Sequence, residues 1–324
     1  MPILWVASQL SAITGRMDPN VTSQLSAITG WHGLNNPWVP GDDAGVDYIY
    51  VDLRRNPEKY TGYKGEDARR VWAAIYDQSA LKEAAAAVAA ARTDSETAAV
   101  PREQEVLYRL ISGMHTAITT SIVHNFHDEA TGTWGPNLPM FKARFGHPAA
   151  KSFVENLYFT LLFVLRAVTK AGPALSTFGY NTGQPAADAR TEELMRSLVS
   201  NDALRKACPA PFDEGMLWRR EGSEVLASEL QIAFHNITRV MDCVGCEKCK
   251  MHGKLNILGI ASAMKVLFSV PPPPPGTSTT ACADPHLILD RNEVIALINL
   301  LAKLSKSIEA IRELSLQLDQ HPEL

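Results

Sequence analysis

The sequence predicts a mainly α-helical protein: a single large helical domain with long loops. Three observations carry this. From Glu103 to Gln320, apolar residues recur at three- and four-residue intervals in one stretch after another, the mark of one-sided helices. One stretch, NLYFTLLFVLRAV at 156–168, is apolar nearly all round, as a central buried helix is. No strand–helix alternation is present, and no Gly-x-Gly-x-x-Gly follows a strand, so a doubly wound nucleotide-binding sheet is not expected. The 324 residues, 46% hydrophobic and 20% charged, are ordinary for a globular chain that buries a sizeable core. A net charge of −4 and a pI near 6.1 give no reason to expect nucleic acid as a partner. No stretch reaches the roughly 18 apolar residues of a membrane span, so membrane association is expected to be peripheral.

Residues 1–45 form an atypical start. SQLSAITG at Ser8–Gly15 returns at Ser23–Gly30, too short a repeat for a solenoid. A recent duplication and a mis-assigned gene start both account for it. Met1–Gly15 has no basic flank and makes a poor signal peptide. Trp31–Pro40 reads as loop from its Gly, Asn and Pro. The main domain then spans 46–324. Val46–Leu53 (VDYIYVDL) alternates and reads as a short strand or extended segment, and Asn56-Pro57 marks a turn. Gly65–Asp77 starts the helices, with Trp72, Ile75 and Tyr76 as its apolar stripe. An insertion at 81–102 opens with alanines, which favour helix but bury little, so it reads as a surface helix or mobile segment. Helices follow over Glu103–Phe126, Ser152–Lys170, Thr191–Ala207, Glu221–Met241 and Leu255–Val270. Prolines 271–275 stop the last of these and open a proline-rich loop, 271–285. Asn292–Gln320 closes the chain as a long helix.

Five cysteines are too few for a disulfide-stapled scaffold. Cys208 and Cys282 stand alone, but Cys243, Cys246 and Cys249 form two overlapping Cys-x-x-Cys pairs, which points to chemistry. With His252 as a fourth ligand the triplet suits zinc, or an iron–sulfur cluster. It also allows three inert buried thiols or a purely structural disulfide. The redox reading fits best. A Cys-x-x-Cys at a helix mouth holds two sulfurs together, and the positive helix end with Lys248, Lys250 and Lys254 stabilises the attacking thiolate. On spacing alone, either Cys243–Cys246 or Cys246–Cys249 serves as the reactive pair. Continual thiol oxidation also needs an electron acceptor that cysteine does not supply, which implies a flavin.

Several motifs then fall in one order: NPEKYTGYKG at 56–65, Trp72, YRLISGMH at 108–115, WGPNL at 134–138, NLYF at 156–159 and RVMDCVGCEKC at 239–249. Gly253–Phe268 extends the series. Across roughly Val46–Leu316 the chain resembles the endoplasmic reticulum oxidoreductin family, thiol oxidases that re-oxidise protein disulfide isomerase. The resemblance implies FAD held among core helices, molecular oxygen as final acceptor giving hydrogen peroxide, and residence in the endoplasmic reticulum lumen. The protein is expected to act as a monomer. It assigns Cys246 and Cys249 to the pair beside the flavin and makes Cys243 a structural or secondary thiol. It implies FAD contacts at Lys59, Thr61, Trp72, Ser112, His115 and Arg166; no metal is implied. From the residues alone, Trp72 and His115 read equally as core, and Ser112 as bonded to its own backbone. Arg166 needs an anionic partner if buried, and a pyrophosphate would serve.

Three positions depart from the family. Lys59 replaces an arginine and loses its bidentate fork. Phe153 stands where another phosphate-binding arginine is usual, with Lys151 as a substitute. His252 replaces a tryptophan. The family's shuttle cysteines lie upstream of the NPE motif, whereas the first cysteine here is Cys208. Either the upstream segment is missing from this sequence, or Cys208 or Cys282 takes part of the role, or substrate reaches Cys246–Cys249 directly. The first is favoured, given the duplicated start. Sequons at Asn20 and Asn236 agree with a secretory location. On the favoured explanation the chain as written oxidises the isomerase poorly and an added upstream shuttle segment rescues it. Fast isomerase oxidation without that segment contradicts the explanation.

Overall fold

The computed structural model describes residues 65–78, 81–82, 102–128, 130–179, 185–202, 223–242, 247–268 and 287–321, with 65–68, 102–104, 187, 223–230, 242 and 247–252 as backbone alone. Among these residues the chain is helical apart from one hairpin, as the sequence predicts. The elements are α1 (Gly65–Tyr76), α2 (Arg102–His124), β1 (Phe126–Asp128), β2 (Thr133–Gly135), α3 (Leu138–Phe145), α4 (Ala150–Lys170), α5 (Gly172–Thr177), α6 (Pro185–Val199), α7 (Ser223–Asp242), α8 (Glu247–Phe268) and α9 (Arg291–Gln320). They fall into two compact units, one drawing on 43–160, 221–254 and 307–324, the other on 161–220 and 255–306.

In the first unit α2 is the central helix. Leu107, Leu110, Ile111, Met114, Ile118 and Ile122 recur at helical spacing and all are buried. α7 packs on both α1 and α2, and the Asn236 amide donates to Gln78 Oε1 at 3.1 Å. The Asn236 sequon is thus folded into a helix, with the Thr238 hydroxyl buried and donating to the Phe234 carbonyl. α2 crosses α4 closely because Gly113 has no Cβ. One placed there would collide with Thr160 Oγ1 and the Asn156 carbonyl.

α2 ends in the hairpin, which pairs Phe126 with Gly135, His127 with Trp134 and Asp128 with Thr133. Gly132 turns it at φ +66°, a conformation that favours glycine. The Asn137 side chain then caps α3 by accepting from the Met140 N–H at 2.9 Å, and Pro139 sits in the first turn. Phe141 of α3 is buried with Val123 and Leu314, and Leu138, Phe145 and Ile311 pack around them. The helix stops at Gly146, whose N–H reaches the Lys142 carbonyl at 2.8 Å.

In the second unit α8 and α9 meet at Gly259, where a Cβ would strike the Ala296 carbonyl and Leu300. Asp290 and Glu293 form a reciprocal cap at the start of α9, each accepting from the other's N–H at 2.9–3.0 Å. Lys265 Nζ donates to both oxygens of Glu293 at 2.8 and 2.9 Å, and both residues are buried.

Several expectations need correction. α6 lies at Pro185–Val199, earlier than Thr191–Ala207, and α8 begins at Glu247, eight residues before Leu255. α3, α5 and the hairpin were not expected. α4 does have the length and mean hydropathy (1.3) of a membrane span, against the sequence reading. Its buried Asn156 and Thr160, both bonded to polar groups of α2, are what a core helix carries. Leu81, at the start of the alanine-rich insertion, is fully buried. The segment 1–45, Val46–Leu53, residues 83–101 and the loop 271–285 lie outside the described residues.

Removing one partner of a buried ion pair leaves an uncompensated charge, at about 3–5 kcal/mol. Lys265→Met should therefore destabilise the chain by about that much in urea unfolding. Adding Glu293→Gln, which removes the stranded charge and keeps an acceptor for the cap, should recover part of the loss. No recovery in the double variant would show that the pair is not the source.

Candidate functional site

A cavity of about 650 Å³ opens in the first unit, within the roughly 300–1,000 Å³ of small-molecule and cofactor sites. α1 supplies Arg69, Trp72 and Tyr76, spaced three and four residues apart on one face. α2 supplies Ser112, His115, Thr116 and Thr119, again one face. The end of α3 and the turn after it add Ala143, Arg144, Phe145 and His147, and α4 adds Phe153.

At its wall the His115 ring stacks on the Trp72 indole, centroids 3.7 Å apart and planes 10° from parallel. The Tyr76 hydroxyl lies 3.1 Å from His115 Nδ1. Burial raises the Tyr76 pKa, the nearby Tyr108 adds to that rise, and a hydrogen bond from Ser112 partly offsets it. The phenol therefore keeps its proton. Burial, with a contribution from the Arg144 charge, pushes His115 down to about 3, so the imidazole is neutral at physiological pH. The cavity thus combines an aromatic face, a neutral imidazole and the guanidinium groups of Arg69 and Arg144. Such a set receives a ligand with a planar ring and an anionic group.

Three of the FAD contacts expected from the sequence, Trp72, Ser112 and His115, come together here. Trp72 and His115 are largely enclosed, yet both line the cavity. Being part of the core does not keep either residue from the cavity wall. Arg166 is half-buried on α4, belongs to the second unit, and is not among the residues lining this cavity. Lys151 stands exposed, 3.9 Å from Glu155, and does not line it either, whereas Phe153 does. Lys59, Thr61, Cys208, Cys243, Cys246 and Cys282 lie outside the described residues. Cys249 falls in the first turn of α8, described as backbone alone, as is His252.

Arg69, Tyr76, Arg144 and His147 were missed. Arg69 and Tyr76 had a readable signal, since they flank Trp72 at i−3 and i+4. Arg144 did not. Its approach to His115 follows from the hairpin and the short capped helix α3 bringing the chain back, and only the Asn137-Leu138-Pro139 cap hinted at that helix.

Fold and cavity together define an α-helical protein with a cofactor-sized, cation-bearing site between helices. The family model described as Endoplasmic Reticulum Oxidoreductin 1 (ERO1) matches residues 1–311. Endoplasmic reticulum oxidoreductin-2 of Arabidopsis thaliana is 42% identical over 296 residues, covering 91% of this chain and 58% of the relative. Endoplasmic reticulum oxidoreductin-1 of the same plant is 41% identical over 304 residues, covering 93% and 60%. The solved structure titled "Structure of Ero1p, Source of Disulfide Bonds for Oxidative Protein Folding in the Cell" aligns with a TM-score of 0.59 at 27% identity. That alignment covers 84% of this chain and 68% of that one. The chain belongs to the Endoplasmic Reticulum Oxidoreductin 1 family, and it spans 58–60% of the length of the two plant relatives.

The low pKa of His115 has a consequence for stability. Above about pH 6.5 the ring is neutral in both folded and unfolded chains. Below it, the unfolded chain takes a proton that the folded one refuses until about pH 3. Stability present at neutral pH is therefore lost as pH falls from 6.5 toward 3. The slope should stay below the limit of ~1.4 kcal/mol per pH unit, because one side of the ring faces the cavity. Urea unfolding of wild type and His115→Asn across this range tests it. The variant should lose less stability per pH unit; parallel curves would contradict the assignment.

Proposed function

We propose that this chain is an FAD-dependent thiol oxidase that re-oxidises protein disulfide isomerase in the endoplasmic reticulum lumen, acting as a monomer. In the overall reaction one dithiol and one oxygen molecule give one disulfide and one hydrogen peroxide. The observation that carries the reading is the cavity lined by Trp72, Ser112 and His115 together with Arg69 and Arg144. The residues fit the cofactor: an aromatic stack for a planar ring, and cations where a pyrophosphate needs charge. Family membership and the names of the plant relatives support the same activity and compartment.

When bound, FAD supplies the two-electron acceptor and oxygen chemistry that thiols lack. Trp72 and His115 offer a flat apolar wall for a ring. Arg144, at the end of α3, binds anionic oxygen in charge-assisted fashion. His115, being neutral, adds a hydrogen bond without a second positive charge to desolvate. Cys246 and Cys249 carry the dithiol exchange. Helix α8 starts at Glu247, so its positive end lies at the Cys-x-x-Cys and favours the thiolate form. Cys243 is left as a structural or secondary thiol, with Cys208 and Cys282.

The purified chain should be yellow, and Arg144→Ala should weaken FAD binding roughly 10- to 100-fold, the worth of a hydrogen bond to a charged group. Cys246→Ala and Cys249→Ala should each abolish dithiol-driven oxygen consumption while leaving FAD bound. A colourless preparation that takes up no FAD and carries stoichiometric zinc would overturn the proposal.

A further inference from the structure

A second aromatic pair lines the cavity besides Trp72 and His115. It is placed there by the crossing of α2 and α4. Their contacts run in opposite order along the two helices: Thr160 Oγ1 reaches the Arg109 carbonyl at 3.2 Å, and Asn156 Nδ2 reaches Ser112 Oγ at 3.0 Å. The helices are therefore antiparallel. One turn further on, Phe153 of α4 comes level with His115 and Thr116 of α2, and all three line the cavity. Phe153 is half-buried there. The His147 ring, in the turn between α3 and α4, meets it at 5.8 Å between centroids with the planes 82° apart. An edge-to-face contact of this kind holds the phenyl ring and leaves it at least one flat face that His147 does not cover. His147 also lines the cavity.

One cavity of about 650 Å³ thus carries two aromatic pairs from different parts of the chain. Trp72 and His115 come from α1 and α2, while His147 and Phe153 come from the turn after α3 and the start of α4. Arg69 and Arg144 line the same space. A ligand with one ring and one phosphate uses a single aromatic wall. Two walls and two guanidinium groups in one space match a ligand with a ring at each end and an anionic linker between them, which is the build of a dinucleotide. We propose that Phe153, held by His147, is a second ring-binding face that makes the site select a dinucleotide over a mononucleotide. The two ring systems of a flavin dinucleotide rest one on each wall. The proposal rests on the reading of the cavity as a flavin-nucleotide site and adds a specificity-determining residue to it.

A side chain that only fills space at this position needs bulk, and leucine supplies that as well as phenylalanine does. A ring-binding face needs a flat π surface, which tryptophan has and leucine lacks. Phe153→Leu and Phe153→Trp therefore separate the two roles while keeping an apolar side chain at the start of α4.

The test is titration of the full chain, freed of flavin, with FAD, FMN and ADP, which carry both rings, the flavin ring alone and the adenine ring alone. Wild type should bind FAD more tightly than FMN. Phe153→Leu should weaken FAD and one of the two fragments roughly 2- to 10-fold, the worth of an aromatic stack beyond its buried area. Trp72→Leu should weaken FAD and the other fragment. In each variant the fragment that still binds shows that the chain is folded. Phe153→Trp should keep FAD affinity close to wild type. Wild type that binds FMN as tightly as FAD overturns the proposal without any variant. So does a Phe153→Leu chain with all three affinities unaltered or both fragments weakened, loss of the same fragment in Phe153→Leu and Trp72→Leu, or an equal loss of FAD affinity in Phe153→Leu and Phe153→Trp. In those cases the flavin-nucleotide reading stands and the second face fails. A wild-type chain that takes up none of the three ligands overturns the reading itself, and the proposal with it.

Discussion

The close crossing of α2 and α4 at Gly113 is the constraint on which the site depends. With no side chain at this position, α4 comes near enough for Thr160 Oγ1 to reach the Arg109 carbonyl, 3.2 Å away, as well as the Asn156 carbonyl on its own helix. That approach lets Asn156 bridge Arg109 and Ser112. An added methyl group would push the helices apart and break these bonds together, since interiors are packed too tightly to absorb it. The polar groups would then be buried without partners, which costs more than the bonds themselves contribute. One glycine thus couples helix packing to the orientation of a side chain on the cavity wall.

The electrostatics of the cavity follow from the same arrangement. His115 is enclosed on the Trp72 face and lies near Arg144, and both effects disfavour a proton on it. Keeping the imidazole neutral lets two arginines share the site without a third charge beside them. An anion entering would offset the guanidinium charges, and the histidine would contribute direction rather than charge. The second unit handles its buried charge differently. Lys265 and Glu293 cancel each other, and Glu293 also completes the cap of α9. Arg69 and Arg144, by contrast, line a cavity of cofactor size.

The sequence made the long helices legible because their apolar residues keep a strict helical interval, as Leu107, Ile111, Met114 and Ile118 do. It made Trp72, Ser112 and His115 legible through a family resemblance, and the cavity brings those three together. Short elements were lost because their signals are capping and turn signals rather than periodicity. α3 rests on Asn137 and Pro139, and the hairpin on Gly132. The start of α8 was placed late because Glu247–Lys254 is polar, so the apolar pattern begins only at Leu255. Arg144 was invisible for a related reason: its place depends on how the hairpin and α3 return the chain. Arg166 came from the same resemblance, supported by the need of a cation in an apolar helix for a partner, and it does not line this cavity.

The central claim is that the space between α1, α2 and the end of α3 holds a flavin nucleotide against the Trp72–His115 stack. A crystal structure of the chain grown with FAD tests it most directly. The account predicts density for the nucleotide in this cavity, with a planar ring against the aromatic wall and phosphate oxygens within hydrogen-bond distance of Arg144. Density for FAD elsewhere on the chain, with this cavity filled only by water, would contradict it.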